Sequence, residues 1–195
     1  MPGTLLVTDR LLVRRPAAAD QDAYLGLLRD SAAFHRPWFP APPEGSDPFG
    51  PEAFATYLAG DDGERRVRFL LFERGQGEDR AEGPLVGAVN VGEIVRGVFR
   101  SAYLGYFLGA HATGRGYMRE GLDAVVTHAF ADRAEGGLGL HRLEANIIPD
   151  NAPSLAVVRA LGFRREGLSE RYLKIDGRWR DHERWAITVE DRTGR

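Results

Sequence analysis

Residues 111–121 read "HATGRGYMREG", two glycines around an arginine at the point where a polar loop becomes a helix. Before it stands "SAYLGYFLG" (101–109), a run of the aromatic kind that suits a strand. After it Met118, Leu122, Val125 or Val126, and Ala129 recur at helical spacing between Tyr117 and Ala134. A strand, a glycine loop and a helix in that order let successive backbone N–H groups converge on an anion, backed by the partial positive charge of the helix N-terminus. Pyrophosphate suits that chemistry. A tight strand-to-helix turn, using glycine only for its positive φ, is the alternative that so short a pattern leaves open. The commoner phosphate loops fit poorly. A Walker loop needs lysine followed by Ser or Thr, where Arg115-Gly116-Tyr117 stands, and a dinucleotide fingerprint needs a third glycine where the chain has Arg119.

Upstream, "PLVGAVNVGEIVRG" (84–97) and residues 101–109 read as an antiparallel pair across Gly97–Arg100. "VRFLLFER" (67–74) is a strand, followed by a charged surface turn in "GQGEDRAEG" (75–83). "LLVRR" (11–15) is the first strand, and Asp20 is placed to cap a helix carrying Tyr24, Leu27 and Leu28 on one face. Residues 31–51, proline-rich and containing "PWF", read as an extended loop with little regular structure, with Pro51 opening a short helix that buries Phe54, Tyr57 and Leu58. Downstream, "HRLEANII" (141–148) alternates as a half-buried strand, and Asn151 can cap a helix over 152–161 with Gly162 past its end. Two long strands then flank Asp176-Gly177, a strong hairpin signal. No internal repeat interrupts the pattern.

Composition limits the chemistry. The 195 residues, 43% hydrophobic, suit one domain over 1–195, with 31–66 as an inserted loop and helix. A net charge of −2 provides no global field for nucleic acid or an anionic membrane, so neither is an expected partner. The apolar N-terminal stretch breaks at Asp9-Arg10, too short for a leader or a span, and the expected location is cytoplasmic. The absence of cysteine removes disulfides, thiolate metal sites and cysteine nucleophiles. Lys174 is the sole lysine, which leaves little room for Schiff-base or phosphate-lysine chemistry. The five histidines, at 35, 111, 128, 141 and 182, have no metal-site spacing, so no metal is expected.

"HATGRG" resembles the Q/R-x-x-G-x-G/A loop of the GNAT acyltransferases, with His111 in place of the usual Gln or Arg. "NAPSLAVVRALGF" resembles that family's second cofactor segment. "VVRG", "YLGY", "GRGYM", "LGFRREG" and "YLKIDGRWRDH" are similar to the RimJ/RimL branch, on its RimJ-like side, as are "TDRLLVRR" and "RPWFP". The likeness runs from Thr8 to Val189 and is strongest from Leu85 onward.

The resemblance implies an α/β (α+β) fold whose mostly antiparallel sheet splays between the strands near 101–109 and 141–148 into a V-shaped acetyl-CoA cleft. It implies transfer of acetyl from acetyl-CoA, without a covalent enzyme intermediate, to the N-terminal α-amine of a protein or peptide such as a ribosomal protein. The enzyme is expected as a monomer or homodimer. Phe107, Leu108 and Gly109 are expected to pair with the pantetheine arm. Gly114, Arg115, Gly116, Tyr117 and Met118 are expected at the pyrophosphate, and Asn151 as a polar contact, unless it only caps its helix. Ser154 is placed near the cofactor sulfur as a proton donor, although alone it reads equally as a helix-start hydroxyl. Glu93, inside an apolar strand run, is the first candidate base because a partly buried carboxylate gains basicity. Glu144 is the second, acting through a water, since related enzymes place a glutamate where this chain has Asn146. Trp38 and Phe39 are candidates for the acceptor wall, and Tyr103 either joins them or packs in the core. Two other functions stay open: acetylation of a small-molecule amine or peptide-like metabolite, and a non-catalytic acyl-CoA sensor.

Overall fold

A computed structural model describes residues 5–75 and 81–193. Most of the surface turn expected at 75–83 falls at 76–80, outside the described residues. In chain order the elements are β1 (Leu5–Val7), β2 (Leu11–Arg14), α1 (Gln21–Asp30), α2 (Ala32–His35), α3 (Pro51–Ala59), β3 (Val67–Arg74), β4 (Glu82–Val95) and β5 (Ser101–Leu108). There follow α4 (Tyr117–Phe130), β6 (Arg142–Ile147), α5 (Ala152–Leu161), β7 (Arg164–Ile175), β8 (Arg178–Thr188) and α6 (Val189–Thr193).

The strands form one sheet in the order β1-β2-β3-β4-β5-β6-β8-β7. Every pairing is antiparallel except β5 with β6, which α4 joins as a crossover connection. That parallel pair is short, running only from Ser101↔Arg142 to Tyr103↔Glu144. Beyond Tyr103 the two strands part, so the expected split in the sheet is present. The Asp176-Gly177 hairpin is also as read: both residues have positive φ, 47° and 77°, as a two-residue type I′ turn requires.

Period-two alternation sorts β3 between two cores. Val67, Phe69 and Leu71 join the cluster under α4 and α5, whereas Leu70 and Phe72 join the one under α1 and α3. Gly121 lets α4 lie close on β3, because a Cβ there would collide with the Leu71 side chain. The two layers thus pack on opposite faces of the sheet.

Three local readings differ from expectation. Residues 31–51 contain the four-residue helix α2, stabilised by tertiary contacts of His35 that the proline content does not reveal. Leu5–Val7 forms an edge strand before the first one expected, pairing back on β2. Asp20 does not cap α1; its carboxylate accepts the Ala17 N–H at 2.7 Å and both Arg14 Nη atoms at 2.7 and 2.8 Å.

Candidate active site

The glycine loop comes first. Gly114 and Gly116 have φ of +73° and +79°, left-handed backbone that a residue with a Cβ adopts at a cost. Gly116 is the N-cap of α4, and no side chain caps that helix. The N–H groups of its first turn therefore lack the side-chain acceptor that most helices supply, as an anion site requires. Tyr117 and Met118 point into the core at 5% and 6% exposure, leaving only their main chain for a ligand. Arg115 turns away to Glu73 at 2.8 Å and over the Tyr117 ring. The loop is tied down from the turn between β1 and β2, where Arg10 donates to the Arg115 carbonyl at 2.8 Å and pairs with Glu120. Glu120 also accepts from the Thr8 hydroxyl at 2.6 Å and the Arg10 N–H at 2.8 Å. Burial opposes ionisation of Glu120, but these donors outweigh it and hold the carboxyl below its ordinary range.

The parting of β5 from β6 opens a cavity of about 470 Å³. Leu104, Gly105, Tyr106 and Phe107 form one wall, and Ala145, Asn146, Ile147 and Ile148 the facing one. Asn151, the N-cap of α5, Ser154 in its first turn and His182 of β8 also line it, as do Tyr24, Trp38, Phe39, Tyr57, Arg66, Arg68 and Asn90. Among the described residues, no carboxylate lines the cavity.

Asn151 does cap α5, accepting the Ser154 N–H at 3.2 Å, so its capping role is real and its wall position additional. The Ser154 hydroxyl lies 2.7 Å from the Tyr106 hydroxyl, which burial pushes up to about 12. That phenol stays protonated at neutral pH and can relay a proton through Ser154. Tyr106 had no role in the sequence reading; its signal was the two-residue alternation that puts 104 and 106 on one side of β5.

Several expected positions are corrected. Glu93 is not partly buried: its side chain is 59% exposed, bonded to Arg66 at 2.9 Å, and absent from the cavity lining. A bulge between Gly92 and Val95, with φ of +49° at Glu93, turns it outward, so the burial expected of it is missing. Glu144 also lies off the lining and is ion-paired with Arg142 at 3.0 Å. Tyr103 is 42% exposed, neither core nor cavity wall. In the pantetheine segment, the Leu108 carbonyl is already bonded by His35 Nε2 at 2.7 Å, and the Gly109 N–H donates to the Val86 carbonyl at 2.9 Å. By alternation from Gly109, the 104 and 106 main-chain groups face the split. Phe107 contributes its ring, edge-on to Phe39 at 5.4 Å.

His35 stacks on Phe39 with ring centroids 4.5 Å apart, fixing the wall that "PWF" supplies. Burial lowers its pKa, favouring the neutral ring that donates to Leu108. Arg68 lies over the Tyr57 ring at 4.0 Å; its Nε is buried without a partner and it forms no salt bridge among the described residues.

A sheet that parts beyond a short parallel pair, a left-handed glycine loop running from β5 into α4 and an aromatic-lined cavity in the gap are the features of an acyltransferase fold. The chain belongs to the GNAT acetyltransferase family: the "Acetyltransferase (GNAT) domain" pattern matches residues 10–164. It is an N-acetyltransferase. Among curated proteins it is similar to the ribosomal protein uS5-alanine N-acetyltransferase of Escherichia coli (strain K12), 35% identical over 202 residues that cover 99% of this chain and 95% of the relative. The solved structure of Mycobacterium smegmatis RimJ in complex with CoA-disulfide matches with a TM-score of 0.82 at 30% identity, covering 97% of this chain and 88% of that one. The ribosomal-protein-S5-alanine acetyltransferase of Vibrio fischeri matches with a TM-score of 0.81 at 25% identity, covering 96% and 98%.

Proposed function

We propose that this chain transfers acetyl from acetyl-CoA directly to the N-terminal α-amine of a protein, with ribosomal proteins the acceptor class suggested by its relatives. The observation that carries this reading is that β5 leads directly into the left-handed Gly114/Gly116 loop at the uncapped start of α4, while the same strand, where it leaves β6, walls the cavity that reaches Ser154. The loop amides would hold the pyrophosphate, and main-chain groups of 104 and 106 would pair with the pantetheine.

Bound acetyl-CoA supplies an activated acyl group on a thiol leaving group. The chain's own residues then have three tasks: orienting the amine, excluding water, and returning a proton to the sulfur. Phe39, Trp38 and Phe107 supply apolar walls. Tyr106 and Ser154, bonded to each other, supply the proton path. No cysteine is present to carry an acyl-enzyme, which favours direct transfer.

Acetyl-CoA consumption against peptides beginning with Ala, Ser or Met tests the reading, with turnover expected on at least one. Turnover on small amines alone would replace the acceptor class. CoA binding without any turnover would turn the protein into a sensor.

A further inference from the structure

Glu93 and Glu144 both lie off the cavity and are held by arginines, which leaves the acceptor amine without its expected base. The titratable groups lining the cavity are Tyr24, Tyr57, Tyr106, Arg66, Arg68 and His182. Burial raises all three tyrosines, so at neutral pH they are phenols, and the arginines are cations. Among the described residues of the lining, His182 is the one that can accept a proton there.

Its surroundings fit that task. His182 is 4% exposed yet contributes to the cavity wall. Its Nδ1 lies 3.0 Å from the Arg180 carbonyl, an acceptor only, so Nδ1 carries the ring proton and Nε2 keeps its lone pair. Beside it on the same wall, Asn146 donates from Nδ2 to the Tyr172 hydroxyl at 3.3 Å, while its Oδ1 is buried with no partner. A buried acceptor without a donor is unfavourable, and an incoming N–H would relieve that cost. Tyr172 also packs against the His182 ring, with centroids 5.3 Å apart.

We infer that His182 is the general base of the transfer and that Asn146 Oδ1 holds the acceptor nitrogen beside it. This rests on the acetyltransfer reading above and adds the group that completes it. The ammonium gives one proton to His182 Nε2. The freed amine attacks the acetyl carbonyl, the C–N bond forms and the C–S bond breaks. The second nitrogen proton reaches the thiolate sulfur through Ser154 and Tyr106, and His182 returns its own proton to water. Two protons leave the nitrogen, one to the imidazole and one to the sulfur, and the charges balance.

The groups around His182 are Arg180 and Asp181 on its own strand, Tyr172 on β7, Asn146 on β6, and Asp150, which pairs with Arg180 at 2.9 Å. Burial, the largest influence, holds the imidazole below its ordinary value, so it stays neutral and basic through the physiological range. A base works above its pKa; activity is therefore retained at neutral pH and lost as pH falls through that lowered value.

The test uses the full chain with acetyl-CoA and a panel of acceptors, an Ala-first peptide and several small amines, taking forward whichever turns over. His182→Gln should lower kcat at pH 7 roughly 100-fold or more, with the CoA Kd changed less than about threefold. The wild-type acid limb, which lies below the ordinary histidine range, should disappear and be replaced by one following the amine's own ionisation, at roughly pH 8. Asn146→Glu in the His182→Gln background should recover at least about tenfold in kcat, which a merely structural histidine would not permit. His182→Gln activity within about threefold of wild type, with the same acid limb, would overturn the proposal. So would a wild-type kcat profile lacking that limb, a result that needs no variant to fold. Turnover on amines but not peptides removes the peptide reading and leaves His182 to be judged on the amine. CoA binding with no acceptor turned over removes both.

Discussion

Between residues 109 and 120 the proposed carrier site is made of main-chain N–H groups set by two left-handed glycines, whereas the proposed acceptor side is made of rings and guanidinium groups from four separated segments. The first kind of site depends on φ angles within one short stretch. The second depends on which side chains the packing of α1, α2, α3, β3 and β4 brings to one place. A shared carrier needs the same backbone cradle in every transferase of this kind, while the acceptor wall can change residue by residue without disturbing it. The two regions should therefore fail differently when mutated.

The largest effect is expected on the backbone side. Gly116→Val places a β-branched residue at φ +79°, costing roughly 1–3 kcal/mol of strain and moving the amides it flanks. The CoA Kd, read by calorimetry, should rise roughly 100-fold. Gly114→Val should behave alike although its Cβ would meet open space, because the cost there is conformational and not a clash. Unchanged affinity in both would remove the loop assignment.

Next comes the brace that holds this loop. Glu120→Ala should cost about 2 kcal/mol, seen as a melting temperature lowered by roughly 4–8 °C. Because the folded-state carboxyl titrates below its ordinary value, its contribution is present above the normal glutamate range and is lost as pH falls through the lowered value. The gap between wild type and variant should accordingly close in acid. A gap that widens there would contradict the network around Thr8 and Arg10.

On the proton path the loss should be in rate alone. Tyr106→Phe keeps the ring and removes the hydroxyl bonded to Ser154, so kcat should fall about tenfold with the CoA Kd unchanged. Ser154→Ala should match it, and the double variant should be little worse than either, as for two groups in one relay. Additive losses would separate them.

The smallest effect is expected at the discarded bases. Glu93→Gln and Glu144→Gln should leave kcat within about twofold, since both carboxylates lie outside the cavity. A drop at either like that expected for His182→Gln would return the base to the strands.

How much of this was readable in one dimension varies by residue. The glycine loop, the Asn151 cap and the Asp176-Gly177 hairpin were legible because each is a local arrangement of dihedral angles that a few residue types favour. Glu93 was misplaced because the bulge beside it breaks the two-residue alternation that assigned it a buried face. Tyr106 and His182 were passed over since an aromatic in a strand and a histidine in a hairpin carry no local mark of what they will face.

The sequence by itself determined the order of most elements, though not β1 or α2, together with the strand-loop-helix unit at 101–130 and the family, since periodicity and left-handed glycines are properties of short segments. Only the tertiary structure decided that His35 closes the Leu108 carbonyl, 73 positions away, and that Tyr106 meets Ser154, 48 positions away. It alone set Asn146 and His182 on one wall while turning Glu93 to solvent. Such contacts follow from strand register and from the face each helix buries, and a single-residue slip in either reverses them.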